Sequence, residues 1–283
     1  MKKNFVIALA ALLTAMTMNA QNEVQPYLTV DQLPDLIKCL PAPPAFDSPE
    51  FANDMMRFSW GKQQRLDPER AAIAKRDAVW SYEALLAEFD VPFGLHMSPE
   101  DTPEIWKLMV TSLTTTDAMR VAPKAFYHRQ RPFERFQDKM LTDEEAELAG
   151  EGSYPSGHTM RGWTCALLLA EVNPAAADTI FARGWMYGES RVIVGAHWQS
   201  DVDASRVAAS IAYSALHGSP EFREQMAKAQ AEYLELTGQH TRVSEVIAPA
   251  YLDNTQAYRL DGVMATEDTR GIIIQDGKKI LKN

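Results

Sequence analysis

Between residues 67 and 237 apolar side chains recur at three- and four-residue spacing, the period of one helix face. Trp80, Leu85 and Phe89 form one stripe, and Trp106, Met109, Val110 and Leu113 another; both read as core without a functional role. Asp67-Pro68, Thr102-Pro103, Asn173-Pro174 and Ser219-Pro220 each set a capping side chain ahead of a proline suited to the first helical turn, which predicts four helix starts. Thr142 with Glu145 reads as a capping box, and Gly238 as a stop after the run from Ala227 to Glu232. Leu40-Pro41-Ala42-Pro43-Pro44 predicts an extended stretch lying across the helices. No internal repeat is visible.

Past residue 240 the pattern changes. Gly271-Ile272-Ile273-Ile274-Gln275, then Asp276-Gly277, then Lys278-Lys279-Ile280-Leu281-Lys282 predicts a β-hairpin, because Asp-Gly readily supplies the positive φ angles of a tight turn. The expected architecture is therefore all-α, a helical bundle with a small C-terminal β-hairpin appendage. Tyr258-Arg259-Leu260-Asp261-Gly262 with this hairpin resembles the C-terminal sorting tails of some secreted bacterial proteins, and a plain terminal hairpin is the other reading.

At the other end, Met1-Lys2-Lys3 supplies a positive start, Phe5 to Met18 an apolar stretch, and Met18-Asn19-Ala20 a cleavage site, so residues 1–20 read as a signal peptide cut after Ala20. An uncleaved anchor is the alternative. The organisation expected is a signal peptide over 1–20, a helical catalytic domain over 21–240 and a tail over 241–283, in a periplasmic or secreted protein.

Composition narrows the function. Of 283 residues 46% are apolar, enough for a sizeable core. The net charge is −10, and removing residues 1–20 takes away two lysines and no acid, which disfavours a nucleic-acid polymer as partner. The best apolar run inside the body, Ala166 to Ala170, is far short of the roughly 20 residues needed to span a bilayer, which excludes stable membrane insertion. Cys39 and Cys165 are the only cysteines, so no cysteine-based metal site is possible; they either pair in an exported chain, or Cys165 is a buried free thiol.

Three polar islands interrupt the helical background. In Lys124-Ala125-Phe126-Tyr127-His128-Arg129-Gln130-Arg131-Pro132, two helical turns bring Lys124 and Arg131 onto one face, where they can meet one anion. In Gly152-Ser153-Tyr154-Pro155-Ser156-Gly157-His158-Thr159, Gly157 admits close backbone approach, Ser156 offers a hydroxyl, a helix N-terminus favours an anion, and His158 can exchange a proton near neutral pH. In Ser190-Arg191-Val192-Ile193-Val194-Gly195-Ala196-His197-Trp198-Gln199-Ser200-Asp201, the i, i+4 pair His197 and Asp201 lets a carboxylate hold one imidazole nitrogen and leave the other as a nucleophile or base. Each island alone also fits a solvated face, a capping turn or a structural His-Asp contact.

Together they spell Lys-x6-Arg-Pro, Pro-Ser-Gly-His and Ser-Arg-x5-His-x3-Asp, eleven fixed residues, and the chain is thereby similar to the acid phosphatase and vanadium haloperoxidase (PAP2) superfamily. Gly-Ser-Tyr-Pro-Ser-Gly-His-Thr resembles, more narrowly, the bacterial class A nonspecific acid phosphatases, with the likeness running from Leu40 to about Gly238. The resemblance implies a metal-independent phosphomonoesterase without cofactors, acting on small phosphate monoesters and assembled as a homo-oligomer, with phosphotransferase or diphosphohydrolase activity as a side reaction. It implies that His197 attacks phosphorus, Asp201 orients His197, and His158 serves as general acid and base. Lys124, Arg131, Ser156, Gly157 and Arg191 would hold the phosphate, with no metal; His96, His128, His217 and His240 fall outside the motif. Glu151 reads as an exposed loop acid, and Val91 to Leu95 and Phe133 to Phe136 as the loops that meet the leaving group. A haloperoxidase, a lipid phosphatase and a silent phosphate-binding protein are the competing readings. Chain length, the lack of spanning segments and the retained histidines with Asp201 respectively weigh against them.

Overall fold

The proline-led starts all initiate helices in the computed structural model, which describes residues 24–238 and, further on, 258–259, 265–266, 270–275 and 278–282. Residues 1–20, expected to be a signal peptide, lie outside the described residues, as does the stretch 239–257. By its internal contacts the chain divides into Met1–Tyr233 and Leu234–Asn283.

In the first unit a short α1 (Leu36–Cys39) leads through the Pro41–Pro44 stretch to α2 (Phe51–Gln64) and α3 (Pro68–Arg76), where the Asp67 carboxylate accepts the N–H groups of Glu69 and Arg70. Next come α4 (Tyr82–Ala87), α5 (Asp90–Phe93) and α6 (Pro103–Asp117). Thr102 stands at the N-cap of α6, but its hydroxyl bonds back to Ser98 and the free N–H groups of Glu104 and Ile105 go instead to the Glu232 carboxylate at 3.1 and 2.8 Å. Capping of α6 is thus tertiary, a carboxylate meeting the positive end of the helix dipole.

The short α7 (Val121–Tyr127), α8 (Pro132–Phe136) and α9 (Glu145–Leu148) precede three long helices, α10 (Gly157–Val172), α11 (Ala177–Val194) and α12 (Gln199–Leu216), and then α13 (Pro220–Leu236). Asn173-Pro174 opens a single 3-10 turn, Pro174–Ala176, that runs into α11, and Ser219 caps α13 through the N–H of Phe222. Helix α10 is central, packed on α6, α11 and α12. Its Cys165, Leu168 and Leu169 are fully buried with Ile105, Leu108, Met109 and Leu113 of α6 and Ile180 of α11, each large aliphatic side chain contributing about 1.5–3 kcal/mol. Cys165 is a buried free thiol and Cys39 an exposed one, so the two do not pair.

Two local expectations fail. Thr142 does not cap α9: its hydroxyl goes to Glu144, while Glu145 accepts the N–H of Met140. Trp80 belongs to no core stripe. It sits in the irregular segment between α3 and α4 and is 42% exposed, whereas Leu85 and Phe89 are buried as predicted.

In the second unit, β1 (Tyr258–Arg259), β2 (Gly271–Gln275) and β3 (Lys278–Lys282) form an antiparallel sheet in the order β1-β2-β3. Gln275 pairs with Lys278, while the expected Asp276-Gly277 turn lies outside the described residues, and the hairpin gains a third strand that the sequence pattern did not reveal. No described helix is long and apolar enough to cross a membrane.

Candidate active site

Lys124 and Arg131 converge, though not on one helix face. Helix α7 stops at Tyr127, His128 takes a left-handed conformation (φ 42°), and Arg131 stands at the N-cap of α8. The turn folds the Arg131 side chain back toward Lys124, and both donate to the carbonyl of Gly152, Lys124 Nζ at 2.5 Å and Arg131 Nη2 at 3.5 Å. A Cβ on Gly152 would run into the Lys124 carbonyl oxygen, so only glycine lets the 150s loop lie this close.

Helix α10 begins at Gly157 with Ser156 as N-cap, its hydroxyl oxygen accepting the N–H of Thr159 at 3.3 Å and the hydroxyl of Thr159 at 3.0 Å. Both bonds use the oxygen of Ser156 as acceptor, which leaves its own proton to give. Arg120 Cδ would stand 2.9 Å and Trp80 Cη2 3.3 Å from a side chain on Gly157, so the glycine makes room for these two. His158 follows, buried, with Nε2 3.0 Å from the carbonyl oxygen of Ala78. A carbonyl only accepts, so Nε2 carries a proton and Nδ1 is the nitrogen left for chemistry. Trp80 packs on the His158 ring (centroids 4.5 Å apart) and carries the Arg161 guanidinium 3.2 Å above its own ring. The segment that supplies Ala78 and Trp80 is anchored by buried Asp77, which pairs with Arg183 and accepts the Ser190 hydroxyl at 2.6 Å. Ser190, one residue before Arg191, thus holds that segment through a hydrogen bond to Asp77.

His197 lies just ahead of α12, and Asp201 sits in the first turn of that helix. They are not stacked within one helix as the spacing implied. The Asp201 carboxylate reaches back over the helix start, with Oδ2 accepting the N–H of Trp198 at 2.8 Å and standing 3.4 Å from His197 Nδ1, in ion-pair range but without an aligned hydrogen bond. Its Oδ1 accepts from Arg129 Nη1 at 2.6 Å. On the other side of the ring Arg131 Nη1 donates to His197 Nε2 at 3.1 Å. Since a guanidinium has only donors, that nitrogen holds a lone pair and the proton rests on Nδ1.

A cavity of about 230 Å³ joins these groups; its wall includes Lys124, Arg131, Gly157, His158, Arg191 and His197 together with Trp80, Arg120, Glu144, Glu147, Leu148 and Glu151. Of the eight residues expected to act on phosphate, six line this cavity and Asp201 stands directly behind His197. Ser156 is buried beneath the start of α10 and is not part of the wall. Val91 to Leu95 lies elsewhere: Phe93 is buried against Tyr233. Phe133 to Phe136 falls in α8, off the cavity.

The electrostatics are set by crowded cations. Glu151 is no bystander: half-exposed, it reaches Arg131 Nη2 at 3.2 Å, Arg120 Nη1 at 3.6 Å and Lys124 Nζ at 3.9 Å. Glu144 stands 3.2 Å from Arg191, whose Nε is buried without a partner. Burial, with Arg131 beside it, brings the Lys124 ammonium down to about 7. Burial first and the Arg191 guanidinium second push His158 well below the ordinary histidine range, and burial, Arg131 and Lys124 do the same to His197. Both imidazoles therefore rest neutral, and the cations of Lys124, Arg131 and Arg191 line the same cavity. Among the described residues no group of three or more His, Cys, Asp or Glu could hold a metal ion.

Ala78, Trp80, Arg120, Arg129 and Glu144 were missed by sequence reasoning. Arg129 stood inside the first motif, and its place two residues before Arg131 was the one available signal.

A family model described as the PAP2 superfamily matches residues 105–222. A non-specific acid phosphatase of Providencia stuartii is 40% identical over 212 residues, covering 74% of this chain and 85% of that protein. A non-specific acid phosphatase of Salmonella typhimurium is 36% identical over 234 residues, 82% of this chain and 93% of that one. An acid phosphatase of Zymomonas mobilis is 36% identical over 199 residues, 70% of this chain and 75% of that one.

Proposed function

Since this chain belongs to the non-specific acid phosphatases of the PAP2 superfamily and is an acid phosphatase, we propose that it hydrolyses small phosphate monoesters through a phosphohistidine on His197. The observation that carries this reading is the lone pair of His197 Nε2, turned toward a cavity that Lys124, Arg131 and Arg191 also line.

The phosphoryl group enters with its oxygens on Lys124, Arg131 and Arg191 and on the N–H of Gly157 at the start of α10, with the Ser156 hydroxyl reached once that turn adjusts. Arg131 Nη1 moves from His197 Nε2 to a phosphoryl oxygen, which frees the lone pair. Nε2 attacks phosphorus, the ester P–O bond breaks, and the leaving oxygen takes the proton held on His158 Nδ1. Asp201 Oδ2 steadies the positive charge that develops on the His197 ring. A water then gives its proton to His158 Nδ1 and attacks phosphorus, the P–N bond breaks, and phosphate departs. General acid assistance of this kind is worth about 10²–10⁴ in rate. Burial and Arg191 keep His158 neutral, so the proton it needs is acquired with the substrate, whose negative charge raises its affinity for protons.

An alcohol replacing water in the second step would give phosphotransfer, and a phosphate leaving group would give diphosphohydrolase activity. The chain acts as a homo-oligomer in the periplasm or outside the cell, with residues 1–20 removed, 21–240 catalytic and 241–283 a tail. Intact mass of the exported protein and its sedimentation velocity test these points. For the mechanism, acid-quenched enzyme should carry an acid-labile, base-stable phosphate that is absent from His197→Ala; label persisting in that variant would refute the assignment.

A further inference from the structure

Behind His197 lies a buried row of charges that the motif residues do not explain. Asp201 is fully buried, and Arg129 joins its Oδ1 (2.6 Å) to Asp54 Oδ2 (2.8 Å). Asp54 is itself tied down by Ser200, whose N–H donates to Oδ1 at 2.7 Å and whose hydroxyl donates to Oδ2 at 2.6 Å. The Arg129 side chain is 4% exposed, Asp54 1% and Asp201 0%, so water screens none of the three. The Trp198 and Phe46 rings flank the Arg129 guanidinium at 5.7 and 5.8 Å.

We propose that Arg129 and Asp54 are positioning residues for the nucleophile, fixing Asp201 so that Oδ2 faces His197 Nδ1 while preserving its negative charge. The proposal deepens the phosphohistidine reading and rests on it. A carboxylate has two equivalent oxygens and can rotate; Arg129 occupies Oδ1 and the Trp198 N–H directs Oδ2, so only Oδ2 is left toward the imidazole. Arg129 alone would cancel the charge of Asp201. With Asp54 on its other side the three groups sum to one negative charge, which lies nearest the ring where positive charge appears when Nε2 bonds to phosphorus. A buried Arg between two carboxylates also holds the 54 and 200 segments together, and a purely structural role would show in stability alone.

The test is a double-mutant cycle on the full chain between Arg129→Met and Asp201→Asn, with folding checked by circular dichroism and melting temperature. Arg129→Met should lower kcat about 30-fold in the parent but less than about threefold in the Asp201→Asn background, because its effect passes through that carboxylate. The inhibition constant for inorganic phosphate should stay within about twofold, since the cations of the cavity are untouched. Arg129→Lys should recover part of kcat. If Arg129→Met does not fold, the isosteric Asp54→Asn enters the same cycle, with an expected loss of about tenfold. Additive losses, or phosphohistidine forming at the parental rate in these variants, would overturn the proposal while leaving the labelled His197 intact. Absence of label in the parent enzyme would instead remove the reading on which it rests.

Discussion

The Glu151 carboxylate stands 3.2 Å from the Arg131 guanidinium, on the side from which Lys124 also reaches into the cavity. It occupies donors that the proposed mechanism gives to a phosphoryl oxygen, so phosphate should compete with it for them. Glu151 also acts in the opposite sense, because its charge helps Lys124 keep a proton. Glu151→Gln should therefore bind phosphate tighter at pH 5, by about threefold given that the carboxylate is half-exposed and screened. The gain should vanish by about pH 7, where Lys124 in the variant has lost its charge. Inhibition constants for phosphate across that range decide it; a uniform effect at every pH would show that Glu151 only repels.

Lys124 itself sets a limit on the alkaline side. Its ammonium is brought down to about 7, so in the free enzyme the charge is present below that pH and lost above it. kcat/KM reports the free enzyme and should fall as pH rises through about 7. Lys124→Arg keeps the charge at every working pH, and the fall should move up by at least about one unit even where the maximum is lower. An unmoved alkaline limb would place the titration on another group.

The two histidines should separate by leaving group. On the proposed mechanism His158 gives a proton through Nδ1, whereas His197 must present an unprotonated Nε2, so the activity should need opposite protonation states and show a bell-shaped profile of coupled groups. His158→Ala should lose about 100-fold more on alkyl phosphates than on aryl phosphates with acidic phenols, which leave without a proton. His197→Ala should lose both alike. Equal losses in His158→Ala would reduce His158 to a phosphate ligand.

Charge neutralisation by Lys124, Arg131 and Arg191 carries a consequence for inhibitors. Activity should persist in excess chelator, and vanadate should inhibit by taking up a trigonal-bipyramidal geometry over the same cations. Loss of turnover on chelation with recovery on adding zinc or magnesium would contradict the metal-free mechanism.

Lys124, Arg131, His158, Arg191 and His197, which the structure brings to one cavity, were legible in the sequence because each carries its chemistry in its side chain and the three motifs fix their spacing. The helical body was legible for a similar reason: Asp67 and Ser219 cap with the side chains the pattern named. What was illegible involves partners far apart in the chain. Asp54 meets Arg129 across 75 residues, and His158 meets Ala78 across 80, through a backbone carbonyl that every residue possesses. Trp80 was misplaced because the helical period of Leu85 and Phe89 was extended back ahead of the start of α4, where tertiary packing on His158 and Arg161 overrides it. The route to the Lys124–Arg131 pair was misread too, since a left-handed His128, and not a continuous helix, brings them together.

The carbonyl of Ala78 is invisible to mutational scanning. Substitutions at that buried, cavity-lining position alter the side chain and leave the acceptor in place, so a saturation library would report packing there and never the oxygen that selects which nitrogen of His158 is protonated. Only chemistry on the main chain reaches it: an amide-to-ester replacement at the 78–79 linkage, introduced by protein semisynthesis, would weaken the acceptor without moving a side chain. Part of the proposed acid-base apparatus is thus written in the path of the polypeptide, where the genetic code has no letter to alter it.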